Sequence, residues 1–300
     1  MFYRMKQISF IILLLVAQYS TVSAQSNEQP KVALTWVGGA TMLIEFNGFK
    51  VLTDPALGSG KEAFSMGDPN EMFDLKKGPN TKFFERITKY TDVNLKTIDL
   101  VLLSHAHEDH FDQKAQSQLN PELPILLPTA DVGKIKEMGF KNIDAINWGE
   151  TRVFKTGAGQ MKVTAINAHH SEKPPIDKIL GVGNGYWFEF SQGDWRKTIY
   201  WTGDTFPTSD VVAAVKKLGK PDILIPNMGG VGTTGPLGKI SMNAKDVMKL
   251  SSEVLPKKIL PIHHSTYPLY LEPISNFVAE MQSQKIPLDL ISEGSTLIYK

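Results

Sequence analysis

The stretch LLSHAHEDHFD, Leu102 to Asp112, sets three of the chain's seven histidines and two aspartates within eleven residues. It is entered through TIDLVLLS (Thr97–Ser104), an apolar run of strand length. The other four histidines fall in the same position relative to apolar runs. His169 and His170 follow MKVTAINA (Met161–Ala168), and His263 and His264 follow KKILPI (Lys257–Ile262). A fourth run, KTIYW (Lys197–Trp201), leads into TGDT with Asp204. Four strands that each end in a ligand-type side chain predict a layered α/β protein with those ends at one rim. Loops at strand ends are where rigid scaffolds place their chemistry.

The spacing predicts a metal. In His105-x-His107 the rings stand at i and i+2, so in an extended segment they point the same way and can share one ion. Asp109 and His110 come a turn later, within reach of a second ion. Imidazole and carboxylate are ordinary ligands for zinc and its neighbours. The chain has no cysteine, which excludes thiolate nucleophiles, thiolate ligands and iron–sulfur clusters. The candidate set is His105, His107, Asp109, His110, one of His169/His170, Asp204 and one of His263/His264, enough for two ions.

Outward from this core, VALTWVGGATMLIEFNGFKVLTDPAL predicts three strands turning at Gly38–Gly39 and Asn47–Gly48. Residues 56–95 form a long connection, with a short helix expected around TKFFERITKY. Strands are expected at PILLPT, DAINW, GYWFEF, KTIYWTG, DILIP and KKILPIHH. Helices are expected at DVGKIKEMG, at SDVVAAVKKLG with Ser209 or Asp210 as cap, at NAKDVMKLSSEV, and at EPISNFVAEMQSQ. No linker divides residues 25–300, which read as one domain. Residues 56–95 and 171–185 are the expected substrate-facing loops. Phe64, Met66 and Phe73 either meet an apolar substrate or, as the stronger expectation, cluster beneath the loop.

Residues 1–24 read as a secretory signal peptide. Arg4 and Lys6 head the apolar run ISFIILLLVA, and a small-residue exit ends at Ala24, the expected cleavage site. The run falls short of the ~20 residues a membrane span needs, so a periplasmic or secreted protein with no stable span is expected. Loss of Arg4 and Lys6 lowers the formal charge from +1 to −1, leaving no basic field to draw nucleic acid.

His105-Ala106-His107-Glu108-Asp109-His110 is similar to the signature of the metallo-β-lactamase-fold hydrolases, and the later histidine, TGDT and LPIHHSTYPL follow in the family's order. TWVGGATMLIEFNGFKVLTDP, NGYWFEF and NMGGVG resemble the branch holding ascorbate-6-phosphate lactonases and N-acylphosphatidylethanolamine-hydrolysing phospholipases D. The resemblance implies a four-layer αββα sandwich with a two-metal site at one edge. It implies His105, His107 and His170 on a first metal, Asp109, His110 and His263 on a second, and Asp204 bridging. The ions would be zinc, with manganese or iron as alternatives. The absent cysteine departs from zinc β-lactamases that use a thiolate.

The activity so implied is hydrolysis of an ester, lactone or phosphodiester, in a small-molecule or lipid-like substrate, by a metal-bridged hydroxide. Asp109 would shuttle the proton. Asp54 in LTDP is either the partner that orients a ligand histidine or a turn aspartate before Pro55. The alternatives are an iron-dependent oxidoreductase on the same fold and a non-catalytic metal-binding protein. Paired-iron members carry a glutamate where His107 stands. Two further features are expected to be idle. Gly230-Val231-Gly232-Thr233-Thr234-Gly235 fits a dinucleotide fingerprint but opens no helix, since Pro236 and Gly238 follow. Ser104 and His105 are not expected to form a nucleophile–base pair, because neighbouring strand residues face opposite ways.

Overall fold

The computed structural model describes residues 29–300; the expected signal peptide and its cleavage site lie outside the described residues. The first half runs β1 (Val32–Gly38), β2 (Thr41–Phe46), β3 (Phe49–Thr53), β4 (Phe64–Gly67), β5 (Thr81–Phe84), β6 (Leu100–Leu102), α1 (Gln113–Gln118), β7 (Ile125–Pro128), α2 (Val132–Glu137) and β8 (Ile143–Ile146). The second runs β9 (Thr151–Thr156), β10 (Gly159–Ala168), α3 (Pro174–Leu180), β11 (Gly183–Gln192), β12 (Trp195–Trp201), α4 (Ser209–Leu218), β13 (Ile223–Ile225), α5 (Ala244–Val254), β14 (Lys258–Ile259), α6 (Ile274–Met281) and β15 (Thr296–Tyr299).

These build a seven-stranded sheet, β15-β1-β2-β3-β6-β7-β8, and a six-stranded sheet, β14-β13-β12-β11-β10-β9. Alternation along the strands makes the layers. Leu34, Met42 and Ile44 from the first sheet meet Val163, Phe188 and Ile199 from the second in one buried core. The opposite face of the first sheet packs Val101 and Leu127 on Ala115 of α1 and Ile135 of α2. The opposite face of the second packs Tyr200 and Leu224 on α4, α5 and α6 through Val215, Leu250 and Phe277. The result is a four-layer αββα sandwich. At about 1.5–3 kcal/mol for each large apolar side chain removed from water, these three clusters dominate its stability.

Strand direction decides where the functional ends lie. β3, β6, β7 and β8 are mutually parallel. β12, β13 and β14 are parallel, and β10 runs with them because β11 is antiparallel to both β10 and β12. The C-terminal ends of β6, β10, β12 and β14 therefore share one rim. Hydrogen bonds join the two sheets there, from Asn184 N to Ser104 O at 2.8 Å and from the Tyr186 hydroxyl to Leu103 O at 2.8 Å.

Most expected elements are present, and the early turns follow their residues. Asn47 (φ 51°) and Gly48 (φ 83°) both take the positive φ of a two-residue hairpin turn. Several expectations are corrected. TKFFERITKY is not a helix: Thr81–Phe84 pairs antiparallel with Phe64–Gly67, and Phe84 stacks on Phe64 with centroids 5.0 Å apart. Tertiary pairing outweighs helix propensity there. The cap of α4 is Thr208, not Ser209 or Asp210, and it makes no side-chain cap bond. Segment 171–185 contains α3, with proline at its first position, where a missing N–H costs nothing. The glycine-rich 230–235 segment opens no helix; α5 begins after Asn243, which closes a capping box with Asp246. Among the described residues no helix is long and apolar enough to cross a membrane.

Candidate metal centre

The four strand ends bring seven side chains into one buried pocket at the shared rim. After β6 the chain turns at once: His110 N and Phe111 N both donate to His107 O, at 3.0 and 2.8 Å. Asp112 then caps α1 through Ala115 N at 2.7 Å. This turn sets His105 and His107 on one side and Asp109 and His110 on the other. His105, His107 and His170 form one triad whose ligand-type atoms lie within 4.8 Å of one another, and Asp109, His110 and His263 form a second within the same limit. The triads adjoin, with the His105 and His110 ring centroids 4.0 Å apart. Asp204 stands against the second triad, with Oδ2 3.4 Å from His110 Nε2 and Oδ1 3.9 Å from His263 Nε2.

The other histidine of each pair stands elsewhere. His169 spans Asp177 of α3 and Asp210 of α4, with both ring nitrogens at 2.8 Å from a carboxylate oxygen. His264 packs on the Trp36 ring at 4.6 Å and bonds Ser265 Oγ.

Surrounding groups fix the imidazole orientations. Asp54 is fully buried at φ 36° and accepts from His110 Nδ1 at 2.6 Å, Ser104 Oγ at 2.5 Å and Ser104 N at 2.7 Å. Of its two readings, Asp54 is therefore in contact with a site histidine. The opposite-facing placement expected for Ser104 and His105 is corrected, since the Ser104 hydroxyl lies 2.9 Å from His105 Nδ1 where the chain leaves the sheet and alternation ends, but that hydroxyl gives its proton to Asp54. Met228 O holds His263 Nδ1. Leu180 O lies 3.1 Å from His107 Nε2, which leaves that ring's lone pair on Nδ1. Asn227 was not foreseen. Its amide donates to Asp204 Oδ1 at 2.9 Å while its carbonyl accepts from Trp201 Nε1 at 3.0 Å. It opens the NMGGVG stretch that resembles the family branch, just after the buried strand β13, but that resemblance assigned it no role.

Electrostatics and unmet hydrogen bonding both point to cations. His105 Nε2, His110 Nε2, His263 Nε2 and both nitrogens of His170 are buried without a partner. An unmet buried polar group costs about 1–3 kcal/mol, and four such imidazoles gathered in the two triads fit a site built to ligate. Burial, then neighbouring imidazoles, pushes His105 well below its usual pKa and His170 down to about 4. Both are therefore neutral and able to ligate. Burial also opposes charge on His110, but the Asp204, Asp109 and Asp54 carboxylates outweigh it and raise that imidazole well above its ordinary range. Asp204, despite burial, is held far below the carboxylate range by His263 and His110. The carboxylates around His110 and His263 make a negative field at the second triad, which a cation would neutralise.

Beside this centre lies a cavity of about 210 Å³, bounded by His107, Asp109, His170 and Asp204 on one side and by Met66, Phe73, Leu237 and Ile240 on the other. Met66 and Phe73 also pack on the cluster of Phe64, Phe84 and Tyr267, the clustering expected beneath the loop.

Residues 33–263 match the family described as the beta-lactamase superfamily domain. The chain is 26% identical over 306 residues to a UPF0173 metal-dependent hydrolase of Thermodesulfovibrio yellowstonii, covering 96% of each protein. It is 24% identical over 253 residues to N-acyl-phosphatidylethanolamine-hydrolyzing phospholipase D 1 of Caenorhabditis elegans, covering 80% of this chain and 67% of that protein. Among solved structures, the isothiocyanate hydrolase from Delia radicum gut bacteria superposes with a TM-score of 0.70 at 23% identity, over 88% of this chain and 98% of the other.

Proposed function

The chain belongs to the metallo-β-lactamase-fold hydrolase superfamily, and from that premise we propose that it is an exported, dinuclear metal-dependent hydrolase of ester, lactone or phosphodiester bonds. His105, His107 and His170 would hold one ion and Asp109, His110 and His263 the other, with Asp204 between them. The observation that carries this reading is that four buried imidazoles of the two triads, His105, His110, His170 and His263, each keep an unpartnered ring nitrogen where the triads meet. Nitrogen and oxygen donors without thiolate suit zinc first, with manganese or iron as alternatives.

A bound pair of divalent cations supplies positive charge that polarises the scissile oxygen and acidifies water. The rest falls to the chain. Asp54, Ser104 and Met228 O hold His110, His105 and His263 in fixed orientations, so that with the cations bound each would present an unprotonated nitrogen to the pocket. Asn227 fixes the Asp204 carboxylate from behind. Asp109 borders both the triad and the cavity, so its carboxylate can take a proton from water and return it to the leaving oxygen. The apolar wall keeps bulk water from the reacting bond.

Elemental analysis of purified protein tests the reading. About two metal ions per chain are expected. Asp204→Ala should lose metal and drop hydrolysis by roughly a hundredfold or more. An active, fully metallated Asp204→Ala protein would refute the bridging role. Stoichiometric iron with a visible absorbance and no hydrolysis would favour the oxidoreductase alternative.

A further inference from the structure

We infer that the cavity beside the metal centre selects a neutral, medium-length acyl ester or lactone and disfavours an anionic phosphodiester. This deepens the hydrolase reading and rests on it.

The wall is apolar on both sides: Met66 of β4 with Phe73 and Leu75 from the loop after it, and Leu180, Leu237 and Ile240 opposite. Among the described residues that bound it, none is lysine or arginine. Its charged groups outside the two triads and Asp204 reduce to Glu108, which lies 3.1 Å from Lys134 Nζ. Lys82 of β5, paired across from Met66, is taken up by Asp68 and Glu71. Beyond the metal centre, whose cations would serve a carbonyl and a phosphoryl oxygen alike, a wall built for a phosphodiester would add a cationic fork for the phosphate oxygens; this wall adds apolar side chains instead. Leu75 and Ile179 are 47% and 60% exposed and also border the cavity, so an apolar rim surrounds its mouth.

The cavity is built in advance. Gly232 N donates to Asn70 Oδ1 at 2.7 Å and Thr234 Oγ1 donates to Asn70 O at 2.7 Å. Gly235 lies so close to Pro69 that a Cβ there would sit 1.9 Å from its carbonyl oxygen. Helix α3, which supplies Leu180, is tied to α4 through His169, Asp177 and Asp210. A fixed volume of about 210 Å³ takes about seven water-sized groups, which matches a six- to eight-carbon acyl chain. In the reaction, water oxygen adds to the acyl carbon and the acyl C–O bond breaks. The leaving oxygen takes a proton, and the released acid loses one.

Two measurements test this. On metal-loaded protein, 4-nitrophenyl esters from acetate to dodecanoate are compared with bis(4-nitrophenyl) phosphate. kcat/KM should rise at up to about fourfold per methylene, peak between hexanoate and octanoate, and exceed the phosphodiester value. On metal-stripped protein, calorimetry compares octanamide, acetamide and dibutyl phosphate. Octanamide should bind at least about tenfold more tightly than either, and Phe73→Ala or the exposed Leu75→Ala should weaken it. A flat chain-length profile, a preference for the phosphodiester, or octanamide binding indifferent to both substitutions overturns the inference. Selective octanamide binding in a protein that turns over no ester and no phosphodiester would sink the hydrolase reading while upholding the neutral acyl site.

Discussion

Asp54→Asn isolates the contribution of a residue that should touch no metal. In the native arrangement one carboxylate oxygen accepts from Ser104 N at 2.7 Å, and the other accepts from both Ser104 Oγ at 2.5 Å and His110 Nδ1 at 2.6 Å. Asparagine keeps the shape and one acceptor but sets an N–H against two donors. His110 then moves its proton to Nε2, the nitrogen facing Asp109 and Asp204, and that nitrogen can no longer ligate. A hydrogen bond to a charged group is worth about 1.5–3 kcal/mol, which at about 1.4 kcal/mol per decade is roughly 10- to 150-fold in affinity. Outer partners of ligating histidines characteristically cost about 10–100-fold. The loss should fall on the Asp109–His110–His263 triad and spare the His105–His107–His170 triad. Competition with a chromophoric chelator would resolve two binding steps in the native protein, and in the variant one of them should weaken within that range. Two unchanged steps, or equal weakening of both with a folded protein, would show that Asp54 does not act through His110.

Three further outcomes follow from local geometry. Gly235→Ala must displace the Pro69 carbonyl; overpacking of this kind costs about 1–3 kcal/mol, so the melting temperature should fall and the 66–79 loop become more protease-sensitive. An unchanged melt would mean that the contact yields freely. Asp177→Ala cuts the His169 link between α3 and α4; KM for a cavity-filling ester should rise roughly three- to tenfold, about 1 kcal/mol, with metal content unchanged, and a fall in metal content would contradict the assignment of His169 to the helix link alone. Asp131, which accepts from Ala106 N at 3.0 Å, has its pKa raised to about 6, chiefly by burial. Its folded pKa lies above the unfolded one, so at neutral pH the buried charge destabilises, and stability from this group rises as pH falls from about 7 toward 4. Asp131→Asn should therefore gain stability over the native protein at pH 7.5, by at most about 3 kcal/mol before solvent screening. The advantage should fade by pH 4.5 in calorimetric melts, and a gain independent of pH would exclude the carboxylate as its source.

The layers and the rim were legible because burial repeats along the chain. Thr97–Ser104, Met161–Ala168 and Lys197–Trp201 carry their apolar side chains at strand spacing, and clustered histidines just beyond them mark the functional edge. What could not be read belongs to pairing at a distance. Thr81–Phe84 is a strand only because Phe64–Gly67 lies beside it. The closing strand β15 exists because Val32–Thr35 offers it an open edge. Asn227 gains its place from Trp201 and Asp204, both more than twenty residues away.

The choice within each histidine pair has a sharper physical reason. In β6 the side chains facing the inter-sheet core are Leu100 and Leu102; in β10 they are Met161, Val163 and Ala165; in β12, Ile199 and Trp201; near β14, Leu260 and Ile262. Strict alternation would carry Ser104, His169, Gly203 and His264 inward. The pocket is instead built from His105, His170, Asp204 and His263, each displaced by one position. The backbone records the phase break at each end. Ser104 turns its hydroxyl to Asp54. His169 is held outward, with its N–H on Thr205 Oγ1 and its carbonyl on Phe206 N. Gly203 takes φ 56°, where a Cβ would sit 2.6 Å from Asn184 O, and His263 takes φ 62°. A left-handed conformation in a non-glycine residue costs of order 1–3 kcal/mol, so His263 is held there by its surroundings: Gly39 O accepts its N–H at 2.9 Å and Met228 O fixes its ring. All four chains leave their strands by breaking the pleat just where ligand-type side chains begin. Periodicity therefore locates the site but points to the wrong member of each pair.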